Sequence, residues 1–383
     1  MNDLGAPTAT AGKATVPTGD LIRAAVATAR VAPVKPRLPI LTGALLHAGP
    51  RGMTLNGGLR FGVIRAVHGA DGSLPDVVVD ARLLRDLVCL HDTTAPTTLS
   101  LNGPRLILTQ ERRSAELPAL PVEDFPRPPD PPAAGSGYRL RGARLRALAR
   151  SVVTVARDLS GPRPAPGNVH LRIDGTGADV VLRAAGTDRR RLAVADEPVI
   201  APDSAEPFDV MVPADALRRA AAIIEATDQL SISVDQYRLW ISDPSGAFFA
   251  DLIVGEYPPD YESLLSRVSS TETVVDRDVL LTELRRLSVA ARTAYPIRMT
   301  VDDDAMDLEA GNSDAVVVRS RIPVTGNPAS RSVAVHAEGL RDALRSFSKG
   351  PVAIAFGPDA RVVCLSRPAD TRLRHVLAQV HGV

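Results

Sequence analysis

The chain has 383 residues, with 45 basic and 44 acidic side chains, a net charge of +1 and 45% hydrophobic residues. A balance so near zero provides no global field to gather a polyanion, so any basic surface has to be local. The apolar content excludes global disorder, and with aromatics at only 3% the cores fall to Val, Leu, Ile and Ala.

In chain order, residues 1–15 are small and polar and read as a disordered tail. Asp20 stands as the N-cap of a helix over Leu21 to Ala29. Pro33, Pro36 and Pro39 punctuate a loop that leads into a strand ending near Leu46. Alternating segments at 51–56, 60–67, 97–101 and 105–109, with Gly or Asn at the turns, predict antiparallel strands. Among them Val77-Val78-Val79-Asp80-Ala81-Arg82-Leu83-Leu84-Arg85 reads as a strand turning straight into a helix. The same frame, V-x-V-x-A-x-x-L-R, returns at Val210 and at Val333, and its helical part carries apolar residues at Leu217, Ala220, Ala221 and Ile224, then at Leu340, Ala343, Leu344 and Phe347. A spacing of about 125 residues is too long for a solenoid repeat and suits a small domain.

The rest of the chain follows the frame. A Pro-rich linker, Arg127 to Gly135, closes the first copy; helices around Leu145–Val152 and Leu280–Leu287 open the second and third, and further alternating strands surround each frame. The organisation expected is three tandem α+β domains of two helices and roughly eight strands each, at 16–130, 131–266 and 267–383 after the tail.

Chemistry is sparse. The 7 histidines are scattered without a metal-ligand spacing, Asp302-Asp303-Asp304 reads as an acidic turn, and neither a Walker A loop nor a G-x-S-x-G elbow occurs, so no catalytic residue, metal or cofactor is assigned. Cys89 and Cys364 lie in different copies of the repeat, which argues against a disulfide framework and for a reducing compartment. With no signal peptide and no apolar run of membrane length, the expectation is a cytoplasmic protein without a membrane partner.

Three short stretches carry a family resemblance. Lys35-Pro36-Arg37-Leu38-Pro39-Ile40-Leu41 resembles Arg-Pro-x-Leu-Pro-Ile-Leu, Thr187-Asp188-Arg189-Arg190-Arg191-Leu192-Ala193 resembles Thr-Asp-Gly-His-Arg-Leu-Ala, and Tyr257-Pro258-Pro259-Asp260-Tyr261 resembles Arg-Phe-Pro-Asp-Tyr, all of the bacterial DNA polymerase III beta subunit, the beta sliding clamp. Their order, together with the threefold repeat, extends the resemblance over residues 15–383. It implies half of a closed six-domain homodimer ring around double-stranded DNA, with helices lining the hole, that tethers the polymerase III alpha subunit, the clamp loader and other proteins bearing a clamp-binding motif of the Gln-Leu-x-Leu-Phe type. Holding DNA without reading it needs phosphate attraction and no base contacts.

The resemblance also distributes roles. Lys35 and the recurrent Arg85, Arg218 and Arg341 are expected to face DNA, with Arg144, Arg146, Arg150, Arg285 and Arg286 as further candidates. Arg189, Arg190 and Arg191 are expected to edge a crevice for partner peptides, lined by Leu192, Pro259, Leu264, Val362 and Val380. Leu117 is expected at the dimer interface, near the helix carrying Val289. Two departures stand out: the family's Gly-His is Arg189-Arg190, and its Met-Pro-x-Arg-Leu tail is replaced by a C-terminal strand running through Ala378, Gln379 and Val380. The altered crevice keeps open an accessory or inhibitor-resistant second clamp, and a triplicated α+β enzyme is the alternative from another class.

Overall fold

The computed structural model describes residues 12–50, 52–133, 135–156, 167–202, 206–225, 229–255, 261–266, 268, 272–288, 296–311, 316–326, 330–357 and 361–380. The first repeat runs β1 (Lys13–Pro17), α1 (Thr18–Val31), a 3-10 turn (Pro39–Thr42), β2 (Gly43–Gly49), β3 (Gly52–Gly58), β4 (Phe61–Val67), β5 (Asp71–Asp80), α2 (Ala81–Val88), β6 (Pro96–Asn102), β7 (Arg105–Gln110) and β8 (Arg113–Pro118). The second runs β9 (Tyr138–Arg141), α3 (Gly142–Val153), β10 (Asn168–Asp174), β11 (Val181–Thr187), β12 (Arg191–Pro198), β13 (Asp209–Pro213), α4 (Ala214–Ile223), β14 (Gln229–Val234), β15 (Arg238–Asp243), β16 (Gly246–Asp251) and α5 (Tyr261–Ser266). The third runs β17 (Glu272–Asp276), α6 (Arg277–Leu287), β18 (Pro296–Val301), β19 (Ala305–Gly311), β20 (Val317–Pro323), β21 (Thr325–Gly326), β22 (Arg331–His336), α7 (Ala337–Ser346), β23 (Pro351–Phe356), β24 (Val362–Arg367) and β25 (Asp370–Ala378).

The recurrent frame folds as its pattern requires. β5, β13 and β22 each pass without a break into α2, α4 and α7, and each helix begins at the alanine of the frame. Asp80 caps α2 by accepting the N–H groups of Arg82 and Leu83 at 2.9 and 2.8 Å, and Leu84, Leu217 and Leu340 are all buried. Asp302 to Asp304 form the turn between β18 and β19, as their charge predicts.

Two expectations at the start of the chain need correction. Residues 13–15 are not tail: they pair in β1 with both β5 and β6. Asp20 is not an N-cap, because α1 begins at Thr18 after the extended Pro17. Asp20 instead lies in the first turn, paired with Arg23, where a carboxylate suits the positive end of the helix. Short strands β1, β9 and β17 stand directly before α1, α3 and α6, so every repeat makes two strand-to-helix transitions and the sequence displays only the second.

The chain divides into two compact units. The first comprises Met1–Ala143, Ala201–Ala205 and Arg219–Leu252. It contains a 12-stranded sheet in the order β8-β7-β6-β1-β5-β2-β3-β4-β16-β15-β14-β9. Its core packs Leu21, Leu46, Leu55, Val79, Leu84, Leu99, Leu106 and Leu108. At the seam between β4 and β16, Arg65 faces Gly246 and Phe61 faces Ala250. Gly246 has φ +139, and a Cβ there would meet the Ile64 carbonyl oxygen at 2.0 Å, so the approach of the two strands requires glycine. Arg65 reaches along the seam to Asp243, with Nη1 at 2.9 and 2.7 Å from the two carboxylate oxygens and both side chains buried.

The second unit comprises Arg144–Ile200, Glu206–Arg218 and Ile253–Val383. It holds a 9-stranded sheet, β13-β10-β11-β12-β25-β24-β23-β17-β21, and a 4-stranded sheet, β20-β19-β18-β22. One of its cores joins Leu280, Leu284 and Leu287 of α6 to Leu340 and Leu344 of α7 and to Ile297, Met299, Leu308, Ile354 and Leu365. Here the seam is β12 against the C-terminal strand β25, with Arg191 opposite Leu377 and Ala195 opposite Leu373.

One histidine on that seam gives a pH signature. His375 is 2% exposed, edge-on to Phe347, with Nε2 2.6 Å from the Ser346 hydroxyl. That hydroxyl donates to the Ala343 carbonyl, so the ring N–H donates to it. Burial, reinforced by Arg191, lowers the His375 pKa to about 4 from its ordinary 6.5. The unfolded chain therefore takes up the proton first, and stability is lost as pH falls from 6.5 towards about 4. Urea unfolding across this window is expected to show a loss of about 3 kcal/mol in the wild type that His375→Gln, which can keep the bond to Ser346, lacks. Parallel pH profiles for the two proteins would contradict the assignment.

Candidate functional site

The 9-stranded sheet positions an apolar crevice within the second unit. On β12, Leu192 and Val194 share one face by the strand period of two. The register sets Val376 of β25 beside Leu192, Cys364 of β24 beside Val376, and Val362 beside Ala378. Leu192, Val194, Val376, Cys364 and Ala185 are buried together with Tyr261 of α5, and Leu264, Leu265, Val268 and Val362 pack against them while remaining half-exposed. Four partly open aliphatic side chains over a buried apolar floor form a surface that would gain by covering, at about 1.5–3 kcal/mol for each large apolar group inserted.

The wall formed by α5 is tied down by charge and hydrogen bonds. The Tyr261 hydroxyl lies 3.2 Å from Nδ1 of His170, whose Nε2 is 2.5 Å from Asp209. Burial pushes the Tyr261 phenol up to about 12, so it stays neutral. Glu262, the next residue, pairs with Arg172 and, at 3.0 Å, with Arg183. Arg183 also forks onto Asp196 at 2.7 and 3.0 Å, and Arg374 of β25 reaches the same carboxylate at 3.2 Å. Hydrogen bonds to Asp174 and Asp196 raise the already high pKa values of Arg172 and Arg183.

The turn from β11 to β12 forms the rim. Asp188 is buried and accepts the N–H groups of Arg190 and Arg191 at 3.0 and 2.9 Å. Arg189 and Arg190 are exposed, and Arg189 adopts φ +74, a left-handed conformation that favours glycine. Arg191 is a different case from its neighbours. Its side chain is 9% exposed, held between Asp188 at 2.8 Å and Asp342 of α7 at 2.9 Å. It fastens the turn to α7 and does not line the crevice, because strand alternation sends it to the face opposite Leu192.

At the C-terminal strand, the Ala378 N–H donates to the Arg190 carbonyl at 2.9 Å, Gln379 to Arg361 at 2.8 Å and Val380 to Ala334 at 2.8 Å. Val380 is therefore drawn to β22 and lies outside the apolar cluster, contrary to expectation. Leu192, Leu264 and Val362 do converge, and Ala378 and Gln379 sit beside the rim; Pro259 and Val289 lie outside the described residues. Val194, Cys364, Val376 and Leu265 escaped sequence reading, although the i, i+2 pattern from Leu192 marks the first of them.

The residues expected to face DNA have differing surroundings. Lys35, Arg150 and Arg285 are exposed, and Arg144 lies 3.6 Å from Glu197. Arg85 pairs with Asp86 at 2.6 Å, and Arg218, 60% exposed, pairs with Asp215. Arg341 is half-buried and its Nε is buried without a hydrogen bond. Leu117 needs a clearer correction: at 0% exposure inside the first core, it offers no surface to a second protomer. Among the described residues no group of three or more His, Cys, Asp or Glu is placed to hold a metal, and no helix is long and apolar enough to cross a membrane.

The left-handed residue yields a stability test. Arg189→Gly is expected to stabilise the protein by about 1 kcal/mol, read from chemical denaturation. A loss of similar size would mean that contacts of the Arg189 side chain outweigh the backbone strain.

The fold and the crevice can be set beside known proteins. The N-terminal domain of the DNA polymerase III beta subunit matches residues 13–129, and its C-terminal domain matches residues 262–381. The beta sliding clamp of Micrococcus luteus is 29% identical over 252 residues, covering 65% of this chain and 78% of that protein. The beta sliding clamp of Streptomyces coelicolor is 25% identical over 363 residues, 91% of this chain and 93% of that protein. Among solved structures, the sliding clamp from Pseudomonas aeruginosa bound to griselimycin superposes with a TM-score of 0.85 at 20% identity, over 97% of this chain and all of that one. Two family domains at the two ends of the chain, full-length relatives and a shared fold agree with the threefold frame, and the chain belongs to the DNA polymerase III beta subunit family, the beta sliding clamps.

Proposed function

We propose that this protein is a sliding clamp, a ring of two chains that encircles double-stranded DNA and tethers the polymerase III alpha subunit and other carriers of a clamp-binding motif. The crevice of Leu192, Leu264, Leu265, Val268, Val362, Cys364 and Val376 carries the reading, because it is a partly open apolar surface built by elements far apart in the sequence. The three repeats are taken as three domains, with boundaries at 130/131, between β8 and β9, and at 266/267, between α5 and β17. The reading assigns no catalytic step, since a ring retains DNA by topology.

Ring closure is assigned to sheet edges and not to Leu117. β8 ends the 12-stranded sheet and β20 ends the 4-stranded one, and open edges of this kind invite pairing. Head-to-tail pairing of β8 of one protomer with β20 of its partner, made twice, closes the assembly. Sedimentation is expected to give twice the 40.5 kDa chain mass, and a monomer persisting at tens of micromolar would reject the ring.

Retention on DNA is assigned to topology, aided by screened attraction from Lys35, Arg85, Arg218, Arg341, Arg144, Arg150 and Arg285. Clamp loaded onto nicked circular DNA by its cognate loader should stay bound until the circle is linearised. Replacing Arg85, Arg218 and Arg341 together by Glu should reduce loading while leaving the fold intact. Loading as efficient as that of the wild type at low salt would remove these arginines from the DNA surface. Leu264→Asp should weaken binding of a Gln-Leu-x-Leu-Phe peptide at least about tenfold, and unchanged affinity would displace the crevice from this role.

A further inference from the structure

The crevice has a polarity that its apolar floor does not disclose. Carboxylates on the elements that frame it are engaged internally. Asp188 is held by Arg191 and two backbone amides, Glu262 by Arg172 and Arg183, Asp196 by Arg183 and Arg374, and Asp370 by Arg372. The arginines at the rim differ. Arg189, Arg190 and Arg361 are exposed, and their guanidinium groups have no ion-pair partner among the described residues.

The register brings the backbones that carry these residues to one end of the crevice. The Arg190 carbonyl accepts from Ala378, and the Arg361 carbonyl accepts from Gln379, so the ends of β12, β25 and β24 lie side by side. Neighbouring strands are about 4.8 Å apart, which puts the backbones of Arg190 and Arg361 about 10 Å from each other, with the C-terminal strand between them. A peptide anchored on Leu264 and Val362 would carry its flanking residues past this cationic rim. The positive φ at Arg189 shows that an arginine is held where glycine would be unstrained.

We propose that Arg189 and Arg190 make the crevice selective for peptides whose apolar anchor is flanked by carboxylates. This inference rests on the crevice being the partner site. The apolar floor holds the anchor, and the arginines, free of internal carboxylates, discriminate by charge complementarity. Exposed pairs of this kind are screened by salt, so the preference belongs to low ionic strength and fades as salt rises.

The test uses the full chain and fluorescence anisotropy with labelled synthetic peptides. One set has Gln-Leu-Ser-Leu-Phe extended by Asp-Asp at either end, and the other has Ser-Ser in the same places. The proteins are the wild type, the double variant Arg189→Gly with Arg190→Ser, and Leu264→Asp. At low salt the wild type is expected to prefer an Asp-flanked peptide over its Ser-flanked counterpart by about five- to tenfold. That preference should disappear in the double variant and in about half-molar salt, so that the two peptides bind with equal affinity. Equal affinities in the wild type, or a preference that survives in the double variant, would overturn the inference. If Leu264→Asp then still weakened both peptides, the crevice would stand as the partner site. If neither peptide bound the wild type, or Leu264→Asp had no effect on either, the partner site and the inference would fall together.

Discussion

A strand edge carries a row of N–H and C=O groups that have to be paired, and the organisation of this chain follows from how two such edges are satisfied. In the first unit β4 of the first repeat takes β16 of the second as its neighbour, and in the second unit β12 of the second repeat takes β25 of the third. The features that surround the seams follow from them. Gly246 is needed because β4 comes too near for a Cβ, and Arg65 with Asp243 closes the polar end of the same approach. The crevice exists only because β25 brings Val376 between Leu192 and Cys364.

The seams also give several arginines a structural task. Arg191, Arg183 and Arg374 are partly or wholly buried and bridge separate elements through Asp188, Asp342 and Asp196. A buried pair of this kind is costly to break once formed, because the partner left behind is an uncompensated charge. Arginine suits the task, since its planar fork can satisfy two acceptors and it does not lose its proton on burial. The near-neutral net charge thus conceals a division of labour between arginines fastened inside and arginines left free on the rim.

The threefold frame was legible because strand alternation and helix periodicity are local properties that survive repetition: Leu84, Leu217 and Leu340 are buried as their spacing requires. The short strands β1, β9 and β17 were not legible, since four or five residues carry too little pattern to separate from a loop. Asp20 misled because a carboxylate near a helix start serves equally as a cap or as a first-turn charge, and Pro17 decided between them. At the crevice, resemblance found Leu192, Leu264 and Val362 but not Cys364 or Val376, whose contribution depends on the register of β24 and β25 and so on contacts between strands distant in sequence. Arg191 and Leu117 were misassigned for a related reason. Neighbours in a strand face opposite ways, and a motif written as a string does not say which residue faces in.

The seam between β4 and β16 also changes what the Pro-rich connection between the first two repeats does. Residues 127–133 link β8 to β9, the two outermost strands of one continuous sheet whose middle is knit by hydrogen bonds between β4 and β16. A protease that cut this connection would leave the two pieces joined by a strand ladder and a buried ion pair, as a complemented fragment pair. The second repeat excised alone would fare worse, with the edges of both β16 and β12 stripped of their neighbours and open to aggregation. The unit of inheritance along this chain is the repeat, whereas the unit of folding is the sheet that crosses from one repeat to the next.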